Sequence, residues 1–513
     1  MPQDETHDLL IIGGGINGAG VARDASGRGL KVALVEAGDL GSATSSASTK
    51  LVHGGLRYLE FYAFGLVRKS LAEREVILRN APHISWPIPI LLPHEPHLRP
   101  GWMIRTGLFL YDLLARRREV PGSSSLSLHE DAAGPAFAPH LKRAFRFWDG
   151  WIDDARLVVL NARDAADRGA TIITRDPVVA ARRAAPGWEV ETASGRIFAT
   201  RRLLNCAGPW AERVARDIMG IDNPPRLNLV QGGHIVTRKV NRTRDAWMLQ
   251  QPDGRIVFVI PYEDDYSLIG TTETVVDDPA ARTLTAAEEA YLLGAVNRSL
   301  ARPLTPADIV HRFAGVRPLV LEEGKGARET TRDWKLVRHE GQSAMTVIGG
   351  KITTYRLLAE AVLKDLFPKT VGWTKDSPLP GGDIPQCRMG NGKPGNAEFR
   401  YAAWLAELKA RNPLYDPRII DRMARLYGTA TQGMLDRGLG ENYGGIFEAE
   451  LVHMRDREFA RTAEDALWRR SRMGLRLAPE ARQQVEAFFA RPFSPGLPTG
   501  PDTGRPPGNR FQG

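Results

Sequence analysis

The stretch Asp8–Glu36, DLLIIGGGINGAGVARDASGRGLKVALVE, constrains the fold more than any other part of the chain. Leu9–Ile12 is an apolar strand, Gly13–Gly18 a turn, the residues to about Arg28 a helix, and Lys31–Val35 a second strand. Together they predict a βαβ unit. Gly13, Gly15 and Gly18 stand in GxGxxG spacing, which gives a tight turn, lets the backbone approach a pyrophosphate and allows close helix packing. The helix N-terminus offers free N–H groups and a positive dipole end to that diphosphate. Asn17 lies inside this turn, and Glu36 closes the second strand where its carboxylate can accept hydrogen bonds from ribose hydroxyls. Gly13, Gly15, Gly18, Asn17 and Glu36 are the five candidate dinucleotide contacts of this stretch.

The fingerprint alone does not separate NAD from FAD. The next segment, GDLGSATSSASTKLVHGGLRYLE, supplies many hydroxyls and backbone amides just downstream, with Thr44, Ser45, Ser46 and Lys50 as candidate contacts. An extended diphosphate and flavin would lie there, whereas a soluble nicotinamide has less use for such a run. FAD is the expected cofactor.

With 513 residues the chain should divide into two to four units at roughly 100–200 residues each. Strand-like runs at Ala170–Thr174, Trp188–Glu191, Arg202–Asn205, His234–Thr237, Arg255–Ile260, Tyr266–Gly270 and Ala344–Ile348 alternate with helical stretches, so the class is mixed α/β with a doubly wound nucleotide domain. The expected division is a discontinuous oxidoreductase region over 1–376, with a substrate sheet inserted at roughly 80–150 and 225–315. A Pro/Gly-rich linker follows over 377–397, then a helical domain over 398–490 and a Pro/Gly-rich disordered tail over 491–513.

Two cysteines, Cys206 and Cys387, without CxxC spacing or neighbouring histidines, support neither a disulfide framework nor a metal site and suit a reducing compartment. The acidic start MPQDETHD is unlike a signal peptide, and no window approaches the ~20 apolar residues of a spanning helix. Sixty-nine Lys and Arg against 60 Asp and Glu leave a charge of +9, which favours an anionic partner. No basic patch interleaved with aromatics points to nucleic acid.

Beyond these elements the sequence resembles the FAD-dependent, quinone-linked glycerol-3-phosphate dehydrogenases of the glycine oxidase and D-amino acid oxidase class. The resembling stretches are IIGGGINGAGVARDASGRGL, SATSSASTKLVHGGLRYLE, LAEREVILRNAPH, HLRPGWMIRTGLFLYD, WIDDARLV, NCAGPWA, RIVFVIPY, IGTTE, GVRPL, TRDW and GGKITTYR, with DALWRRSRMGL near the C-terminus. The resemblance implies a glutathione-reductase-like FAD domain and oxidation of sn-glycerol 3-phosphate to dihydroxyacetone phosphate. It further implies ubiquinone or menaquinone as acceptor, a homodimer, and a cytoplasmic protein bound peripherally to the inner face of the cytoplasmic membrane. Two rivals share the fold: an oxygen-using glycerol-3-phosphate oxidase and an amino acid oxidase.

The resemblance also assigns site residues. Asn205, Ala207 and Gly208 of NCAGPWA would meet the adenosine half of FAD. Gly349, Gly350, Lys351, Ile352 and Thr353 of GGKITTYR open a helix, a geometry suited to the anionic edge of a reduced flavin. Phosphate requires charge-assisted donors, and Arg57, Arg317 and Arg332, with Tyr58, are the candidates, Lys351 being able to serve substrate or flavin. A base must take the hydroxyl proton, with His234 in QGGHIVT first and His53 second. The segment Arg99–Arg118, RPGWMIRTGLFLYDLLARRR, is expected to form a helix lying in the lipid interface.

Overall fold

The computed structural model describes residues 6–95, 99–115, 119–320, 333–339, 341, 343–385 and 396–491. Arg332, Arg116–Arg118, residues 386–395 of the expected linker with Cys387, and residues 492–513 of the expected tail lie outside the described residues.

The opening βαβ unit forms as the sequence predicts, with strands Leu9–Ile12 and Val32–Val35 around helix Ile16–Gly27. Leu9–Ile12 sits between Val32–Val35 and Leu203–Asn205, parallel to both, and the six-stranded sheet is completed by Thr171–Ile173, Ala344–Ile348 and an antiparallel edge strand, Lys335–His339. A parallel strand is covered on both faces, which explains why LLII is wholly apolar. Leu9 and Ile11 point to a core shared with helices Ile16–Gly27, Asp154–Asp167 and Tyr355–Leu366. Leu10 and Ile12 point the other way, into a core with Trp188 and Val190 of a three-stranded antiparallel sheet.

A second sheet of ten strands lies beside the first. Its long members are Ser85–Pro93, Arg143–Ile152, Leu227–Arg238 and Ile309–Val320. Sequence periodicity catches only His234–Thr237 of these. Ser85–Pro93 is hidden by Pro87, Pro89 and Pro93, residues that cannot donate to a ladder. Over Ser85–Pro89 the strand pairs only with Arg143–Ile152, and its second neighbour, Ala246–Gln250, joins at Ile90 and Leu91.

Helices Ala397–Arg411, Pro417–Tyr427, Ala430–Arg437, Glu448–Arg457 and Pro479–Ala490 enclose a separate core around Leu408, Met423, Leu451 and Val485. This unit is joined to helix Asp154–Asp167 with its cap, and to the loop after Val32–Val35, by buried ion pairs, Arg156–Glu458, Arg472–Asp153 and Arg470–Asp39.

Candidate active site

The glycine turn is held by main chain. Gly13 has φ +112°, and a Cβ there would lie 2.5 Å from the Cys206 carbonyl oxygen; a Cβ on Gly18 would lie 1.9 Å from the Gly13 oxygen. The first contact seats the NCAGPWA turn on the glycine turn. Within it Asn205 accepts from Ala207 N at 3.1 Å and donates to Ala211 O at 2.8 Å, and the space beside Gly208 is open.

Glu36 accepts from Gly14 N at 2.6 Å and from Gly38 N at 2.7 Å. Burial pushes its carboxyl above the usual range while those two N–H groups pull it back. An ionised carboxylate has about four acceptor positions, so two remain for a ribose. Ser45 Oγ accepts from Ile16 N at 3.0 Å, capping one of the free amides at the helix start. Asn17 donates to Gly349 O at 3.0 Å, which ties the glycine helix to the GGKITTYR turn, and its buried Oδ1 has no partner among the described residues. A turn whose glycines leave the backbone approachable and a helix N-terminus with its N–H groups are what an FAD diphosphate needs from this chain, while the orphaned Asn17 oxygen can serve only a donor such as a hydroxyl or N–H of the cofactor.

Below that turn, Thr353 Oγ1 accepts from His53 N at 3.3 Å, and the Lys351 ammonium lies 3.9 Å from the centre of the Tyr58 ring. Thus His53, Tyr58, Lys351 and Thr353 gather at one place, Ile352 following half-buried. Arg57 is half-buried and makes no ion pair with any described residue.

The third cluster lies on the large sheet. Strands Leu227–Arg238 and Ile309–Val320 pair so that His234 opposes Phe313, Gly232 opposes Gly315 and Val230 opposes Arg317. Residues at this spacing share one face. The His234 ring stacks on Phe313, centroids 4.9 Å apart, and Arg317 folds over Gly232, where a Cβ would lie 2.9 Å from its Nη2. Gly270 leaves room for the imidazole, since a Cβ there would lie 2.1 Å from His234 Cδ2. Over this face runs the segment Thr44–Lys50: Thr44 donates to Val316 O at 2.5 Å, and Thr49 Oγ1 is 3.1 Å from His234 Nε2. His234 Nδ1 is buried without a partner among the described residues. Burial, with Arg317 and Lys50 nearby, holds the imidazole well below its ordinary pKa, so at neutral pH it is uncharged.

Lys50, a candidate cofactor contact in the sequence, has its side chain in an internal ion pair. Its ammonium is buried and bonded to both Asp154 oxygens, at 2.7 and 2.8 Å, and to Ser46 O at 2.6 Å. Sequence reasoning missed its partner Asp154, as well as Thr49 and Phe313. The only local signal was the acid pair of WIDDARLV, with Asp153 capping helix Asp154–Asp167.

A parallel sheet carrying a dinucleotide-type glycine turn, with a second sheet beside it that holds a neutral histidine and an arginine, has the architecture of a flavin-dependent oxidoreductase. The chain belongs to the FAD dependent oxidoreductase family, whose model matches residues 8–356. It is an enzyme and its cofactor is FAD. It is similar to D-erythritol 1-phosphate dehydrogenase of Brucella abortus (strain 2308), 45% identical over 95% of this chain and 99% of that one. It is also similar to the aerobic glycerol-3-phosphate dehydrogenase of Escherichia coli (strain K12), 43% identical over 94% and 97% of the two chains. Among solved structures, the glycerol-3-phosphate dehydrogenase of Bacillus halodurans complexed with FAD superposes with a TM-score of 0.72, at 25% identity over 94% of each chain.

Proposed function

We propose that the chain oxidises sn-glycerol 3-phosphate to dihydroxyacetone phosphate and passes the two electrons to a membrane quinone. The observation that carries this reading is the shared sheet face on which neutral, buried His234 and Arg317 meet the Ser/Thr segment of the nucleotide domain. FAD, when bound, supplies the hydride acceptor. Arg57, Arg317, Tyr58 and Lys351 hold the phosphate dianion, and Arg332 joins them in the same proposal. Neutral His234, beside Thr49, takes the hydroxyl proton as the hydride leaves the carbon that bears that hydroxyl. His53 remains the second candidate for that proton. The same reading treats residues 1–376 as the catalytic region and 398–490 as a distinct helical domain.

Access to quinone is supported by helix Gly101–Leu114. Only Leu108 and Tyr111 of it are buried, while Trp102, Phe109 and Leu113 are between 62% and 69% exposed. An apolar patch of this kind on a helix with flanking arginines suits the lipid interface. No helix among the described residues is long and apolar enough to cross a membrane.

A second reading, a four-carbon polyol phosphate as preferred substrate, is favoured by the 45% identity to D-erythritol 1-phosphate dehydrogenase. Anaerobic stopped-flow bleaching of the flavin, with each of the two polyol phosphates in turn, separates the readings. Rapid bleaching by sn-glycerol 3-phosphate and reoxidation by a soluble quinone are the expected result. Bleaching only by the longer substrate establishes the second reading, faster reoxidation by oxygen makes the enzyme an oxidase, and no bleaching by either overturns the substrate class. Replacing Trp102 and Phe109 by Ser should weaken binding to anionic vesicles at least about tenfold in a flotation assay.

A further inference from the structure

The helical C-terminal unit reaches toward His234 along two separate paths. The first starts at Arg472, a buried residue with φ +54°, a conformation that L side chains hold only where their surroundings over-determine it. Its guanidinium engages both oxygens of Asp153, and its Nη2 lies 3.4 Å from Asp154 Oδ1. Asp154 in turn accepts from Ser48 N at 3.1 Å, from Ser48 Oγ at 2.7 Å and from the Lys50 ammonium. Lys50 also has a positive φ, +59°. Between these two anchored residues stands Thr49, the hydrogen-bond partner of His234 Nε2.

The second path runs through rings. Trp468 stacks on His311 at 4.4 Å and 17°, His311 lies 6.3 Å from Phe313, and Phe313 stacks on His234. The Lys50 ammonium, 5.2 Å from the centre of the Phe313 ring, joins the two paths. The edge and the face of the imidazole are therefore both set by groups that lead back to the segment DALWRRSRMGL, residues 465–475.

We propose that Arg472 is a positioning residue for the alcohol oxidation: through Asp153 and Asp154 it fixes Ser48–Lys50, and through Thr49 it fixes the orientation of His234. The inference rests on the reading of His234 as the base. Its physical basis is the planar fork, which engages both Asp153 oxygens and reaches Asp154 at the same time. A single ammonium cannot span the two carboxylates, so without the fork Asp154 is free to turn and carries Ser48 and Lys50, and Thr49 between them, away from their present places. Docking of the helical unit does not depend on Arg472 alone, because Arg470–Asp39 and Arg156–Glu458 hold the same seam.

The test uses the full-length holoenzyme and single-turnover bleaching of the flavin by sn-glycerol 3-phosphate. Arg472→Lys keeps the charge and loses the fork. It should retain bound flavin and melting temperature, slow bleaching at saturating substrate about ten- to a hundredfold, and leave the half-saturating concentration within about twofold. Trp468→Leu, cutting the ring path, should slow bleaching about tenfold in the same manner. Arg457→Gln removes a surface pair with Asp167 across the same seam and should change nothing. Wild-type bleaching in folded, flavin-loaded Arg472→Lys and Trp468→Leu overturns the inference, and so does a loss that only tracks lost flavin. A His234→Asn enzyme that bleaches normally overturns the reading of the base and the inference with it; a slow His234→Asn beside a normal Arg472→Lys overturns the inference alone.

Discussion

Around Gly13–Gly18 the chemistry is performed by main chain, which any sequence can supply provided that no Cβ intrudes. Around His234, in the proposed reading, it falls to side chains brought from the large sheet, the Ser/Thr segment and the start of helix Asp154–Asp167. The glycine turn is six residues of contiguous sequence, whereas Thr49 and His234 are 185 positions apart. A diphosphate can be recognised by a local device, but a proton must be taken at one atom in one direction. That requires packing on every side of the base. The two regions should therefore fail differently when altered.

The largest expected effect is at the glycine turn. Gly18→Ala places a methyl 1.9 Å from the Gly13 oxygen, a contact with backbone that no rotamer relieves. The enzyme should be recovered without flavin, its FAD affinity at least about a hundredfold weaker if the sheet survives, a loss of roughly 3 kcal/mol. Flavin absorbance per mole of purified protein measures it. Full flavin occupancy would show that the turn is looser than its geometry implies.

His234→Asn should do the reverse: full flavin occupancy with bleaching by sn-glycerol 3-phosphate slowed about 10²–10⁴-fold, the range of one positioned proton acceptor. Because His234 is uncharged at neutral pH, the wild-type rate should stay level as pH falls through the ordinary histidine range near 6.5, and decline only at lower pH. A rate that halves near pH 6.5 would move the role to a base with an ordinary pKa.

The contrast also explains what could be read in the sequence. The βαβ unit, its boundaries and its glycines were legible because strand, turn and helix are consecutive and every requirement is local. QGGHIVT offers His234 as a candidate, but its neighbours Thr49 and Phe313 were not legible, since nothing in one sequence pairs positions so far apart. Lys50 shows the cost most directly. Its place in a run of hydroxyls suggests a ligand contact, and only the fold reveals Asp154, 104 positions away, beneath it. Strand Ser85–Pro93 was masked in the same way, its prolines arguing against a role that a one-sided pairing permits.

A smaller effect tests the borderline of the two regions. Glu36 is a side chain, yet it works by accepting from Gly14 N and Gly38 N and so shapes the main-chain turn. Glu36→Gln keeps the shape but can accept from only one of the two N–H groups, its amide nitrogen facing the other as a second donor, which should weaken FAD at least about tenfold, with substrate oxidation by the residual holoenzyme unchanged. Equilibrium titration of the apoenzyme with FAD is the measurement. Unchanged affinity would mean that the turn is set by the glycines alone.

The smallest effect sets the proposed base against a buried histidine remote from it. His83 lies at the seam with the helical unit, buried, with neither ring nitrogen partnered among the described residues. Burial first, then the guanidinium groups of Arg156, Arg425 and Arg163, lower its pKa from 6.5 to about 3, Glu458 opposing them. In the unfolded chain it binds a proton near pH 6.5 that the folded protein refuses until about pH 3. Stability is therefore complete above pH 6.5 and falls as pH drops through that window, by up to about 1.4 kcal/mol per pH unit for this one group. His234, also lowered, acts with the same sign. His83→Leu should flatten the acid slope of stability in urea titrations while leaving flavin bleaching at its wild-type rate, whereas His234→Asn should alter both. If His83→Leu leaves the slope as it was, the imidazole is hydrated in the folded state and the seam admits water.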